Sequence, residues 1–426
     1  MAVVSERSAV RRLHDRFGFG ARPEDLTQTF GAALERLLGP SGGELPAPPE
    51  LPAPPRAGKD EAARKAARKQ RNAQDTQLVA WWLDRMVAAG AAQERLTWFW
   101  HGHFATSAQK VRAPALMLAQ NETFRARGLG RFADLARALV VDPAMIRWLD
   151  GDDNRVGSPN ENLAREFMEL FTLGVGHYTE DDVREAARAL TGWAVDRDTG
   201  AARLIPKRHD DEDKDILGEK ANFTAESFVG RVLSRPESGR FVVGRLWFRL
   251  VSVTPPDDGA AGRLLTAYGD SGDITATLRA IAAEPAFRAE ESTLVKQPVE
   301  WLVGLLRALG LRLADLDDRT RARIHKGLVG LGQVPFRPPS VGGWPAGQAW
   351  LTTAAGLTRL RLASAITAKA DLDSLARQKD RVTAVGELLC VDAWSDRTKA
   401  ALARVAEEPA QVAAIAACAP EYVVSG

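Results

Sequence analysis

Apolar residues along this chain recur every three or four positions far more often than they alternate, which predicts helices from end to end. Residues 5–38 read as two or three short helices around RFGFGARP. Residues 59–90 read as one long helix, charged all round in its first half (DEAARKAARKQR) and amphipathic from Leu78 through Trp81, Trp82 and Met86. Further helices are predicted over 91–106, 111–126, 129–140, 143–150, 159–173 and 180–192. Later ones fall near 226–252, 258–269, 273–285, 297–310, 316–329, 353–370, 380–390 and 395–416.

Three stretches break the pattern. Residues 40–56 are Pro-rich and extended, 196–222 are highly charged and read as a long loop, and 330–350 form a Pro/Gly/Trp loop. There is no internal repeat. The expected fold is all-α, a single large multi-helix domain with a Pro-rich insertion and long irregular loops. Its expected parts are N-terminal helices over 1–39 packed on the main domain, a Pro-rich linker or loop over 40–58, and the main helical domain over 59–426.

Composition narrows the class. Lys and Arg number 57 against 55 acidic residues, so no excess of cation exists for general nucleic-acid binding. The local basic run at 56–71 reads as a solvated helix. No apolar run approaches the roughly 18 residues of a membrane span. The N-terminus lacks a signal-length apolar core, so a soluble, cytoplasmic chain is expected. The two cysteines, Cys390 and Cys418, fit neither a disulfide framework nor a zinc site.

Candidate chemistry is densest at 158–193, SPNENLAREFMELFTLGVGHYTEDDVREAARALTGW. Ser158 fits an N-cap, Pro159 a first helical position and Glu161 the reciprocal position of a capping box. Leu163, Phe167, Leu170 and Phe171 make an apolar stripe, while Asn162, Arg165, Glu166 and Glu169 share another face. Gly174 and Gly176 end the helix, His177 follows, and Thr179 caps a second helix whose first turn is acidic. Such a hairpin can bring Glu166 or Glu169, His177 and Glu185 together as carboxylates and an imidazole, the chemistry of a metal site or an acid/base pair. Capping explains Glu161, Glu180 and Asp182 alone, and Glu180 with Arg184 or Arg165 with Glu169 suit i,i+4 surface pairs.

Three further segments qualify. In Trp98-Phe99-Trp100-His101-Gly102-His103-Phe104 the spacing is helical, so His101 and His103 face apart and cannot share one ion unless Gly102 breaks the helix. The loop from His209 and Asp210 to Lys214 could supply ligands or a proton carrier, or be a solvated acidic loop. In the 330–350 loop, Gln333, Trp344 and Trp350 suit a sugar-stacking surface, or the tryptophans pin the loop to the core. The HExxH, GxSxG, P-loop and GxGxxG motifs are absent, as is the paired ExxH of helical di-iron proteins.

WFWHGHFATSAQKV, DPAMIRWLDG and PNENLAREFMELFTLGVGHYTEDDVREAARALTGW resemble the bacterial family known as domain of unknown function 1800. HDDEDKDILG, KQPVEWLVGLLRALG, LGQVPFRPPSVGGWPAGQAWL and the early RLHDRFGFGARP extend the resemblance over residues 13–360. It implies a helical protein with many exported relatives, and a possible protein partner from an adjacent family resembling alkaline-phosphatase-type hydrolases. It supplies no settled catalytic residues.

The expectation is therefore a helical enzyme with a His/carboxylate polar site, by hydrolysis or oxidation. Glu166, Glu169 and Glu185 would be ligands or acid/base groups. His101, His103, His177, His209 and Asp210 would be ligands to a divalent metal ion, and the histidines alternatively proton carriers. Arg165 and Lys214 would steady an anionic substrate. A non-catalytic scaffold and a carbohydrate-binding protein using Gln333, Trp344 and Trp350 are the alternatives.

Overall fold

The predicted long helix runs Glu61–Ala88, started by Asp60, whose carboxylate accepts the amides of Ala62 and Ala63 at 3.1 and 3.2 Å. Its apolar second half buries Leu78, Trp82 and Met86. The Pro-rich segment lies along it. The Pro46 carbonyl accepts Trp81 Nε1 at 3.1 Å and Arg85 Nη1 at 3.0 Å, and the Pro52 carbonyl accepts Gln74 Nε2 at 2.7 Å. The computed structural model describes residues 2–52, 60–196 and 199–426, so the end of the Pro-rich segment and the start of the basic run lie outside the described residues.

Over the described residues the fold is all-α, with three two-stranded antiparallel pairs as its sheet. Two of these overturn the expected loop at 196–222. Trp193–Val195 pairs with Ala202–Leu204, and Lys214–Ile216 with Glu219–Ala221. The second hairpin turns through Leu217 (φ 53°) and Gly218 (φ 79°), the paired positive φ that a two-residue hairpin needs. The third pair joins Leu294–Val295 to Val424–Ser425. The expected single helices at 226–252 and 395–416 are each two, because Pro236 and Pro409 lack an amide to continue a helix and instead open new ones, Pro236–Leu250 and Pro409–Ala416. Among the described residues no helix is long and apolar enough to cross a membrane.

The hydrophobic interior falls into two clusters. One gathers Leu13, Phe17, Trp100, Phe104, Phe132, Phe167, Phe171 and Leu246. The other gathers Trp82, Trp98, Trp301, Phe336, Trp344 and Leu362. The Ala92–His103 helix runs between them, with Leu96, Trp100 and His103 toward the first and Trp98 and His101 toward the second. A helix walled on both sides is apolar all round, which accounts for the run of aromatics in WFWHGHF.

Candidate functional site

The 158–193 hairpin forms, with different bonds from those expected. The first helix starts at Asn162 rather than Pro159. Asn160 does the capping, its Oδ1 accepting the Asn162 amide at 3.0 Å, while Asn154 Oδ1 holds the Asn160 amide at 2.9 Å. Glu161 is left to pair with Arg165 at 3.0 Å, and Arg165 bridges the hairpin to Glu180 at 2.7 Å. The expected Arg165–Glu169 and Glu180–Arg184 pairs are therefore replaced. Glu169 accepts the Tyr178 hydroxyl, and Arg184 pairs with Asp181. Thr179 caps the second helix with Asp182 as its reciprocal partner, as the sequence suggests. Glu166 sits half-buried, its carboxyl pushed above the usual range by desolvation and then by Glu169.

The His209 loop is clamped to this second helix. Arg188 grips the Asp210 carboxylate at 2.7 and 3.1 Å and Glu185 at 2.8 Å. The Arg188 bond keeps Asp210 below its ordinary pKa. Glu185 also accepts the Asp215 amide at 3.1 Å. Lys214 is fully buried and donates to the Asp210 carbonyl at 2.6 Å and Asn222 Oδ1 at 2.9 Å, with burial lowering its pKa. His209 Nδ1 donates to the Thr191 carbonyl at 2.9 Å, packed against Gly192, where a Cβ would lie 2.9 Å from the His209 nitrogen. His177 stands exposed at the hinge beside Gly176.

The expected convergence of these groups is thus corrected. Arg165, Glu169, Glu185, His209, Asp210 and Lys214 are each held by their own neighbours, and among the described residues no three His, Cys, Asp or Glu side chains gather where one ion would touch them all. His101 and His103 face apart, as helical spacing requires. His101 Nε2 accepts the Phe336 amide at 3.0 Å, so its lone pair there is occupied. Burial holds both imidazoles neutral, pushing their pKa values down to about 3.

His103 is different in kind. Its Nε2 meets the Phe171 carbonyl at 2.8 Å, and a carbonyl only accepts, so Nε2 carries the proton. Nδ1 must then hold a lone pair, and that buried atom has no partner. His103 lines a narrow, partly open cleft with Trp98, Phe99, Gly102, Arg95, Arg245, Arg249, Gln297, Glu300 and Trp344. A second lobe shares Arg95, Arg249, Gln297 and Glu300 and adds Asp15, Lys296 and the backbone around Gly347.

Charge in this cleft is unevenly matched. Glu300 is fully engaged, one oxygen on Arg95 and the other accepting the Gln297 amide at 2.9 Å. Lys296 pairs with Asp15 at 3.0 Å. Arg245 and Arg249, one turn apart on the Pro236–Leu250 helix, have no carboxylate partner among the described residues. Arg249 is steered by the carbonyls of Trp344 (2.8 Å) and Pro345 (3.3 Å), and burial lowers its pKa to about 10, leaving it a cation at neutral pH. Arg245 makes no hydrogen bond among the described residues, and its enclosed Nε is unsatisfied.

The 330–350 loop closes the cleft rather than displaying rings. Trp344 and Trp350 are each only 4% exposed, which corrects the sugar-stacking expectation for them. Trp344 stacks on Trp98 at 4.9 Å. It is seated by Gly343 (φ 79°), where a Cβ would fall 2.2 Å from the Gly102 carbonyl. Gln333 is wholly buried, accepting the Val299 amide at 3.0 Å and donating to Gln297 at 2.5 Å, so it props the cleft from behind.

Sequence reasoning missed Arg95, Arg245, Arg249 and Glu300. The available signal was two arginines one turn apart beside the buried Val242, Leu246 and Leu250 of one helix. Comparison with known proteins finds a match to the family model described as "Protein of unknown function (DUF1800)" over residues 12–424. No curated protein and no solved structure matches.

Proposed function

Because the chain belongs to the DUF1800 family, whose description assigns no reaction, we propose from the cleft itself that the protein is a helical enzyme with its proton-transfer site at His103. The observation that carries this reading is the free Nδ1 lone pair of a buried, neutral imidazole, oriented through Nε2 by the Phe171 carbonyl and set in a cleft with Arg245 and Arg249. A fixed tautomer with one open nitrogen is how a general base is held ready. The half-buried guanidiniums are placed to meet negative charge as it develops on a reacting group. Burial first, and then Arg245, depress the His103 pKa. A substrate that neutralises Arg245 lifts that second effect and makes the imidazole a better proton acceptor when the cleft is filled. Gln297 and the Arg95–Glu300 pair supply the remaining polar wall. The roles first expected of Arg165 and Lys214 pass in this reading to Arg245 and Arg249, because the former two are already bonded.

The test is a panel of small carboxylate and phosphate esters and hydroxy acids, turned over by wild type and by His103→Gln. Glutamine keeps a donor for the Phe171 carbonyl, so the fold should survive. Any activity found should fall at least about 100-fold in the variant. Turnover that persists within a few-fold, with an unchanged melting temperature, would refute the reading. A scaffold role is the second reading, favoured by the hairpin, where Arg165 and Arg188 are each spent on several neighbouring carboxylates.

A further inference from the structure

Resting on the reading of the cleft as a reaction site, we propose that its ligand carries an oxyanion, a carboxylate or phosphate group, seated against Arg245 and Arg249. Across the two lobes, five cationic side chains (Arg16, Arg95, Arg245, Arg249 and Lys296) face two carboxylates, Asp15 and Glu300. The carboxylates are committed to Lys296 and Arg95. Arg16 is absorbed elsewhere, donating to the carbonyls of Val251 (3.2 Å), Ser425 (3.2 Å) and Ser292. The unmatched positive charge is therefore localised on Arg245 and Arg249.

Arg245 and Arg249 are half-buried, and a cation partly withdrawn from water is ordinarily given a counter-charge. Here backbone carbonyls hold Arg249, while Arg245 makes no hydrogen bond to a described residue and its Nε is enclosed without a partner. The carbonyl bonds fix the Arg249 fork, so the ligand meets a preorganised guanidinium. His103, whose Nδ1 has no partner, lines the same cleft, and in the proposed reading it accepts a proton from a hydroxyl or a protonated form of the same ligand. The cleft is narrow, which suits a small acid rather than a polymer.

The experiment titrates the full chain with inorganic phosphate and, separately, sodium acetate at constant ionic strength, read by calorimetry and by thermal shift. One saturable site is expected, and the tighter of the two probes separates a tetrahedral from a planar oxyanion. Arg245→Met and Arg249→Met should each weaken it by at least about tenfold. Arg245→Lys, which keeps the charge, should recover part of the loss. Absence of saturable binding by either anion, or binding indifferent to both arginines, would overturn the proposal. Arginine-dependent binding with no His103-dependent turnover would leave this inference standing and remove the enzyme reading. His103-dependent turnover of a neutral substrate, without anion binding, would do the reverse.

Discussion

Arg245→Met exchanges an unpaired guanidinium for an unbranched apolar side chain that follows much the same path. In the wild type, Arg245 Nε is enclosed without a partner, and desolvation lowers the pKa of the whole group. Leaving such a donor unsatisfied costs about 1–3 kcal/mol, and replacing partly buried, unpaired charge by apolar atoms is commonly neutral or stabilising. The variant should therefore be more stable by about 1–3 kcal/mol. At roughly 2.1 cal/mol/K per residue, the 426-residue chain has an unfolding entropy near 0.9 kcal/mol/K. The melting temperature should then rise by roughly 1–3 °C. Scanning calorimetry in buffer free of phosphate and carboxylate measures this, and adding phosphate should raise wild type toward or past the variant. A fall of more than about 2 °C would show that Arg245 holds the fold together, and the argument that it is retained for a ligand would fail.

Asp142 carries a pH prediction. It is buried at the start of the Pro143–Trp148 helix, accepting the Met145 amide at 2.9 Å and Gln120 Nε2 at 2.6 Å, and desolvation raises its pKa from 3.8 to about 7. The folded state then binds the proton more tightly than the unfolded chain, so stability falls as pH rises from about 4 through 7. Between pH 5 and 8 the loss is of the order of 3 kcal/mol. Asp142→Asn should flatten that part of the pH–Tm curve, and an unchanged slope would remove Asp142 as its source. Arg188→Ala should release the 209–222 hairpin, since Asp210, Glu185 and the Asp213 carbonyl all lose their shared donor. Limited proteolysis within 209–222 should quicken several-fold, whereas cleavage at the wild-type rate would show that the Lys214 bonds alone hold it.

Much of the architecture could be read from spacing because helical periodicity is a local property. The Thr179 cap was legible since all its partners lie within three residues. Ser158 failed as a cap because Asn154 and Asn160 redirect the chain there, and Asn154 in turn bonds the Ala187 carbonyl across the hairpin at 2.9 Å. The breaks at Pro236 and Pro409 were visible in the residues themselves and follow from the missing amide. The histidine helix was legible down to His101 and His103 facing apart. The cleft was not, because what distinguishes Arg245 from Arg165 or Arg188 is the absence of a counter-charge. Sequence displays the arginines and their helical neighbours, whereas the decisive partners are distant in the chain: the Trp344 carbonyl lies 95 positions from the Arg249 it holds, and Glu300 lies 205 positions from the Arg95 that takes it.

The first helix of the hairpin does not stay α-helical. From Phe167 to Thr172 it widens to a π turn, with the Leu173 amide reaching back five residues to the Met168 carbonyl at 2.8 Å and Thr172 Oγ1 bonding the Phe167 carbonyl at 2.5 Å. A π turn holds one more residue than the α turn it replaces. Removing any residue between 167 and 172 would let the helix tighten and swing the Phe171 carbonyl by roughly 100°, away from His103 Nε2. The length of this helix cannot change by even one residue without releasing the imidazole. Insertions and deletions in relatives should therefore skip these six positions, and a gap falling there would mark a lineage whose cleft works differently or not at all.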